Sequence, residues 1–218
     1  MNEISFCGIQ RILCAMTLEL FTAFVTFAVV ASITPGPNNL MLMASGANFG
    51  WRRTVPHLLG VSLGHGFMVL VLGLGLARVF EAYPQARTLL TLPCAAYLLV
   101  LAWKIAHAAP PERAKAGGRP LTFLQAAAFQ WVNPKAIYMG LTAQTTYAPP
   151  DGGWTGAVLV AAIFIASNIL CVNTWILGGT QVRRWLSNPA RLRLFNWTMA
   201  ALLVLTLVPI LADLFSRG

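Results

Sequence analysis

Charged residues are scarce in this sequence. They make up 10% of its 218 residues, and hydrophobic residues make up 57%, whereas soluble domains carry about 25% charged residues. Several charge-free windows approach the roughly 20 apolar residues with which a helix crosses a bilayer. These windows are apolar all round and do not alternate, which excludes the strands of a membrane β-barrel. The composition therefore predicts an all-α integral membrane protein embedded in the lipid bilayer.

Cysteine is also rare, and its spacing excludes two kinds of site. The four cysteines have neither metal-ligand spacing nor the clustering of a disulfide framework: Cys7, Cys14, Cys94 and Cys171. Cys94 and Cys171 fall in apolar runs and are expected to be small core residues. We predict no metal and no cofactor. The basic residues that give the net charge of +9 lie mainly between the apolar runs. We attribute them to the orientation of the protein in the membrane and expect no nucleic-acid partner.

Acidic residues are the scarcest charged type, with six in the chain. None lies well inside a predicted span; five lie near span ends or in connections: Glu19, Glu81, Glu112, Asp151 and Asp213. This distribution argues against a metal or cation pump that depends on buried carboxylates.

The apolar runs predict six transmembrane helices, the first of them broken at Pro35. Their approximate bounds are 18–45, 57–78, 88–108, 122–147, 154–179 and 194–214. The longest connection, 109–120, separates two groups of three spans. Because three is odd, the second group enters the membrane inverted, which predicts two inverted three-helix repeats as in many secondary transporters. The two halves share no obvious sequence identity, so the repeat is inferred from the number and order of the predicted spans alone.

Domain organisation and orientation follow from the ends and the connections. Residues 1–15 form a mixed extension, with Met16 as an alternative start, and 16–218 form a single transmembrane domain. Lys and Arg are in excess in the odd-numbered connections. The positive-inside rule places those connections in the cytoplasm and both termini in the periplasm.

Two spans are interrupted by proline together with asparagine. The first break contains Pro35, Gly36, Pro37, Asn38 and Asn39, and the second lies in span four and contains Gln130, Asn133, Pro134 and Lys135. Proline frees backbone carbonyls, asparagine can satisfy them or bind a zwitterion, and a restarting helix directs its positive end inward. The alternative is a pair of proline kinks whose asparagines only cap their own backbone. We predict a binding site at the two breaks.

Other polar residues inside the spans allow two interpretations each. Lys135 would either face the site, exchanging protons or pairing with a carboxylate, or extend to a membrane interface. His65, in a run of small residues, would either exchange protons or pack as a neutral ring. Asn168 and Asn173 would line a cavity or bond between helices, and Tyr138 would flank the second break or pack at an interface.

The two breaks carry a family resemblance. The motifs Pro35-Gly36-Pro37-Asn38 and Asn133-Pro134-Lys135-Ala136, in a six-span chain of this length, resemble the lysine exporter (LysE/RhtB) family of bacterial amino-acid efflux permeases over residues 16–218. The resemblance implies export of amino acids or their derivatives across the bacterial inner membrane by proton antiport. It does not imply a particular substrate.

Within that family, the absence of a buried acid favours neutral amino acids as substrates. It also leaves proton coupling to His65, Lys135 or the substrate itself. The alternatives are a channel or an exporter of another small solute, and, less favoured, a membrane-embedded enzyme, for which the lone His65 supplies no catalytic group. We therefore expect a transporter that works by alternating access and not an enzyme, with homo-oligomerisation left open.

Overall fold

The computed structural model describes residues 16–76, 82, 85–107, 119–149, 152–186 and 188–208; for 76, 85–94, 97, 183 and 184 it describes the backbone alone. The extension 1–15, most of connection 109–120 and every acidic residue except Glu19 lie outside this part. So do Cys7 and Cys14. Cys171 is a buried free thiol, as predicted.

All regular elements in the described residues are helical. Eight α-helices occur there: α1 Leu18–Ile33, α2 Pro37–Phe49, α3 Trp51–Val71, α4 Gln85–Ala106, α5 Phe123–Gln130, α6 Pro134–Thr142, α7 Gly153–Trp185 and α8 Pro189–Leu205. Five-residue π-helical segments extend two of them, Leu72–Leu76 after α3 and Ala143–Tyr147 after α6. The all-α prediction is confirmed.

Length and apolarity identify fewer spans than the sequence predicts. Within the described ranges, Trp51–Gly75 and Gly153–Val182 can each cross a membrane, and α1 with α2 makes a third if the bent pair is one span. Helices α4, α5, α6 and α8 do not qualify individually. The six-span arrangement therefore stays a prediction.

The first predicted span is bent by 55° between α1 and α2. Helix α1 begins after Thr17, whose hydroxyl oxygen accepts a hydrogen bond from the Leu20 amide at 3.2 Å. Helix α2 restarts with Pro37 in its first turn, where a missing N–H costs no helical hydrogen bond. The break thus lies at residues 34–36, as the two prolines predict.

The boundary between the first two spans differs from the prediction. Helix α3 begins at Trp51, not near 57, and Pro56 lies inside it. The turn is instead made by Gly50, whose φ of 80° is in the left-handed region that favours glycine. Because Pro56 lies close to the helix start, it interrupts few helical hydrogen bonds.

The helices pack at backbone contact through small residues. Helix α7 packs against α1, α2 and α3, α3 also packs against α5, and α4 packs against α8. A Cβ added at Gly46 of α2 would lie 2.4 Å from the Ile176 carbonyl oxygen, and one at Gly64 of α3 would lie 2.5 Å from the Ala127 Cα. Such close approach is typical of helix pairs in membranes, and it holds α2 against α7 and α3 against α5.

We expect Gly179→Ala to destabilise the protein and Gly178→Ala to be tolerated. A Cβ at Gly179 would lie 2.1 Å from the Met43 carbonyl oxygen, whereas one at Gly178 meets nothing within 4 Å. Overpacking against rigid backbone should lower Tm in detergent by about 5 °C or more. The Gly178→Ala variant should match or slightly exceed the wild-type Tm, because alanine is the better helix former. Equal Tm values for the two variants would refute this close α2–α7 contact.

Candidate functional site

The two helix breaks are in direct contact. The side-chain amides of Asn38 and Gln130 pair reciprocally: Asn38 Nδ2 donates to Gln130 Oε1 at 2.8 Å, and Gln130 Nε2 donates to Asn38 Oδ1 at 3.2 Å. Gln130 is fully buried and also donates to the Ala126 carbonyl oxygen at 2.8 Å. This pair joins the start of α2 to the end of α5, although the two residues are 92 positions apart.

Asn39 satisfies carbonyls that the first break releases. Its Nδ2 donates to the carbonyl oxygens of Ser32 at 2.7 Å and Thr34 at 2.8 Å. The last carbonyls of a helix lack internal donors, and within a membrane they need partners from the protein or from trapped water. The buried Asn39 side chain therefore stabilises the end of α1 from the first turn of α2.

Lys135 connects the second break to the first. Its Nζ donates to the Thr34 carbonyl oxygen at 2.8 Å and to that of Pro35 at 3.3 Å. The half-buried side chain lies against Gly36, where an added Cβ would lie 2.9 Å from Lys135 Cδ. The ammonium group thus faces the first break, and its part in binding or proton exchange stays a prediction.

Asn133 organises the start of α6. Its side-chain oxygen accepts a hydrogen bond from the Lys135 amide at 3.2 Å, so it caps the helix, and Pro134 fills the first helical position. Capping by asparagine is among the most favourable N-terminal arrangements. The buried cap sets the direction in which α6 leaves the break and thereby helps to place the Lys135 side chain.

His65 joins α3 to α6 and α7. Its Nε2 lies 3.3 Å from the Ala136 carbonyl oxygen, and its Nδ1 lies 3.3 Å from Asn168 Nδ2. An amide that donates to Nδ1 and an Nε2–H that donates to the carbonyl fit one neutral tautomer. The ring is buried edge-on against Phe164, with centroids 4.8 Å apart. A role in proton exchange stays a prediction.

A small polar cavity lies where these groups meet. Its volume is about 30 Å³, which holds about two water molecules. Eight predicted residues line it: Gly36, Pro37, Asn38, Asn39, His65, Asn133, Lys135 and Asn168. An amino acid is larger than this volume.

The remaining predicted residues do not line this cavity. Pro35 contributes its carbonyl oxygen to Lys135, Gln130 supports Asn38, and Pro134 starts α6. Tyr138 is 68% exposed. It follows the cavity residue Ala136 by two positions, which is a rotation of about 200° around the helix, so the two side chains lie on opposite sides of α6. Tyr138 therefore does not line the cavity, and a part for it in binding stays a prediction.

Asn173 forms an interhelical hydrogen bond away from the cavity. It accepts from Trp51 Nε1 at 2.7 Å and so connects α7 to the start of α3. Five residues along a helix correspond to a rotation of about 140°, so Asn173 lies on a different face of α7 from Asn168. Of its two interpretations, the contact matches the bond between helices.

Sequence reasoning missed several polar residues of the interior. Ser32 lines the cavity; its position within one turn of Pro35 was the available signal. Further along α2, Asn48 and Asn196 form a buried amide pair at 3.0 and 3.4 Å, and Ser45 Oγ lies 3.1 Å from His57 Nδ1. Among the described residues, no group of three His, Cys, Asp or Glu side chains could hold a metal ion.

The fold and the site together define a helical membrane protein with a polar cavity between two interrupted helices. The family model described as LysE type translocator matches residues 29–211, and the chain belongs to that family. The resemblance drawn from the two break motifs is thereby confirmed.

Curated relatives cover nearly the whole chain. It is 34% identical over 203 residues to a cysteine/O-acetylserine efflux protein of Klebsiella pneumoniae, which covers 91% of this chain and 100% of the relative. Proteins with the same name from Escherichia coli and Shigella sonnei are 34% identical over 195 residues, or 87% of this chain and 96% of each relative. No solved structure matched the chain.

Proposed function

We propose that this protein exports a neutral amino acid or a derivative of one from the bacterial cytoplasm, with cysteine and O-acetylserine as the first substrates to test. The observation that carries the proposal is the meeting of two interrupted helices around a polar cavity. The names of the relatives, cysteine/O-acetylserine efflux proteins, suggest the substrate class.

The charge of the cavity supports a neutral substrate. Lys135 contributes a positive charge, which suits the carboxylate of a zwitterion. Glu19, in the first turn of α1, is the only acidic residue in the described ranges, and it does not line the cavity. A cationic side chain would therefore find no carboxylate there, whereas amide and carbonyl oxygens can accept from the substrate ammonium group.

The transport cycle we propose is alternating access around this site. Both interrupted helices restart with proline in the first turn, Pro37 in α2 and Pro134 in α6, which supports two inverted three-helix repeats. The protein would lie in the inner membrane with odd-numbered connections in the cytoplasm and both termini in the periplasm. Proton antiport through His65 or Lys135 would drive export.

Counterflow in proteoliposomes tests the function. Vesicles loaded with unlabelled O-acetylserine should accumulate the labelled compound with saturable kinetics, cysteine should compete, and an imposed pH gradient should change the rate. Lysine should compete poorly. Flux that does not saturate would indicate a channel, and saturable flux that ignores the pH gradient would refute proton antiport. A lack of transport for both compounds and for other neutral amino acids, with another kind of solute transported, would refute the substrate class.

Asn133→Ala should reduce transport about fivefold while the protein still inserts. The substitution removes the cap of α6, worth about 1 kcal/mol, and loosens the turn that places Lys135. Asn133→Ser retains a capping oxygen and should keep most of the activity. Initial export rates, normalised to membrane abundance, provide the measurement. If the alanine variant exports at the wild-type rate, the cap has no part in transport.

A further inference from the structure

The first turn of α2 lines the cavity, and the first backbone amides of a helix have no acceptor within it. In its opening turn, the Leu40 amide donates to the Gly36 carbonyl oxygen at 3.0 Å. The amides of Asn38 and Asn39 precede it and lie at the positive end of the helix. No side chain caps this 13-residue helix, because its N-cap residue is Gly36. In contrast, Asn133 caps α6.

Ser32 supplies an independent sign of a ligand. It is 5% exposed and lines the cavity, and its hydroxyl oxygen has no hydrogen-bond partner. Neighbouring hydroxyls of the same segment behave differently, since Thr26 and Thr34 each donate to the carbonyl four residues earlier. A buried hydroxyl without a partner is unfavourable, so this group is available to a molecule that enters the cavity.

Lys135 adds positive charge at the same place. Two of its three N–H donors bond to the Thr34 and Pro35 carbonyl oxygens. A Cβ at Gly36 would lie 3.1 Å from its Nζ, so the ammonium group lies beside the start of α2. Glu19 is 13 positions from Ser32, about 20 Å along α1. No carboxylate in the described part of the chain therefore balances this charge.

We infer that these groups form the subsite for the carboxylate of the transported amino acid. One carboxylate oxygen would accept from the first-turn amides of α2, and the other from the Ser32 hydroxyl and the third Lys135 donor. This assignment rests on the proposed function and deepens it. The subsite recognises the group that all amino acids share, so side-chain selectivity is determined by other walls of the cavity.

Competition in proteoliposomes tests the subsite with L-cysteine and L-cysteinamide, which differ in the carboxylate. Both are titrated against counterflow of labelled O-acetylserine. For the wild type, cysteinamide should compete at least about tenfold more weakly than cysteine, because it lacks the charge that the ammonium group and the helix start favour. Equal competition would overturn the carboxylate subsite while leaving the proposed function intact, whereas a wild type without counterflow would refute the function itself.

The variant Ser32→Ala tests the hydroxyl. It should raise KM for O-acetylserine several-fold and reduce the preference for cysteine over cysteinamide, with little change in the maximal rate. The matched control is Thr26→Ala on the same helix, whose exposed hydroxyl already donates to the Thr22 carbonyl oxygen at 2.8 Å; it should leave both quantities unchanged. An unaltered preference in Ser32→Ala would remove Ser32 from the subsite.

A binding measurement separates recognition from transport. Cysteine should raise the Tm of purified wild-type protein in detergent more than cysteinamide does, because a ligand stabilises the state to which it binds. The difference should shrink in Ser32→Ala and persist in Thr26→Ala. A difference that persists in Ser32→Ala would show that carboxylate recognition lies elsewhere.

Discussion

Lys135→Met should lower amino-acid export about 100-fold or more. The lysine makes two hydrogen bonds to carbonyl oxygens of the first break, and bonds to a charged group contribute about 1.5–3 kcal/mol each. Methionine keeps much of the apolar contact with Gly36 but cannot donate. The variant therefore loses both the connection between the breaks and the positive charge beside the cavity.

Export rates normalised to membrane abundance measure this effect. Lys104→Met is the matched control, because Lys104 is exposed in the last turn of α4, and it should export normally. Lys135→Arg keeps the charge and should retain part of the activity, limited by the broader guanidinium beside Gly36. Wild-type export by Lys135→Met would contradict any role for the ammonium group.

Asn39→Leu should destabilise the folded protein. Asn39 is 3% exposed and donates to the carbonyl oxygens of Ser32 and Thr34. The Thr34 oxygen also accepts from Lys135, so the substitution leaves the Ser32 oxygen without its donor, and a buried polar group left unpaired costs about 1–3 kcal/mol. This loss is a large part of the whole stability of many proteins, so Tm and the yield of monodisperse protein in detergent should both fall.

Asn39→Asp separates hydrogen bonding from packing. Aspartate has nearly the same shape but, when ionised, donates no hydrogen bond. This variant should therefore lose yield and Tm in detergent as Asn39→Leu does. The control Thr198→Val changes an exposed hydroxyl on α8 and should leave yield and Tm nearly unchanged. A stable Asn39→Asp variant would show that the Ser32 carbonyl oxygen finds another donor.

The sequence predicted the polar residues beside the two breaks through local chemistry. Pro35 and Pro37 interrupt the first span whatever surrounds them, since a missing N–H and a ring clash act within one helical turn. The asparagines beside the prolines were singled out for the same reason, and the structure places Asn38, Asn39 and Asn133 at the cavity. The two break motifs also led to the family, which the match to the family model confirms.

Residues outside the two breaks were harder to place. Asn168 lines the cavity and Asn173 does not, although both are asparagines in the same apolar helix. Tyr138 is close to Lys135 in sequence, yet its side chain is 68% exposed. Which face of a helix turns inward depends on the neighbours against which it packs, and a span that is apolar all round carries little periodic signal.

By itself the sequence determined the membrane class, the positions of the two breaks and the polar groups beside them, because composition and backbone chemistry act locally. Only the tertiary structure decided that Asn38 pairs with Gln130, that Lys135 spans from one break to the other and that Ser32 lacks a partner. These contacts join positions about a hundred residues apart or depend on helix rotation. Both arise from packing between helices at backbone contact, which no single segment encodes.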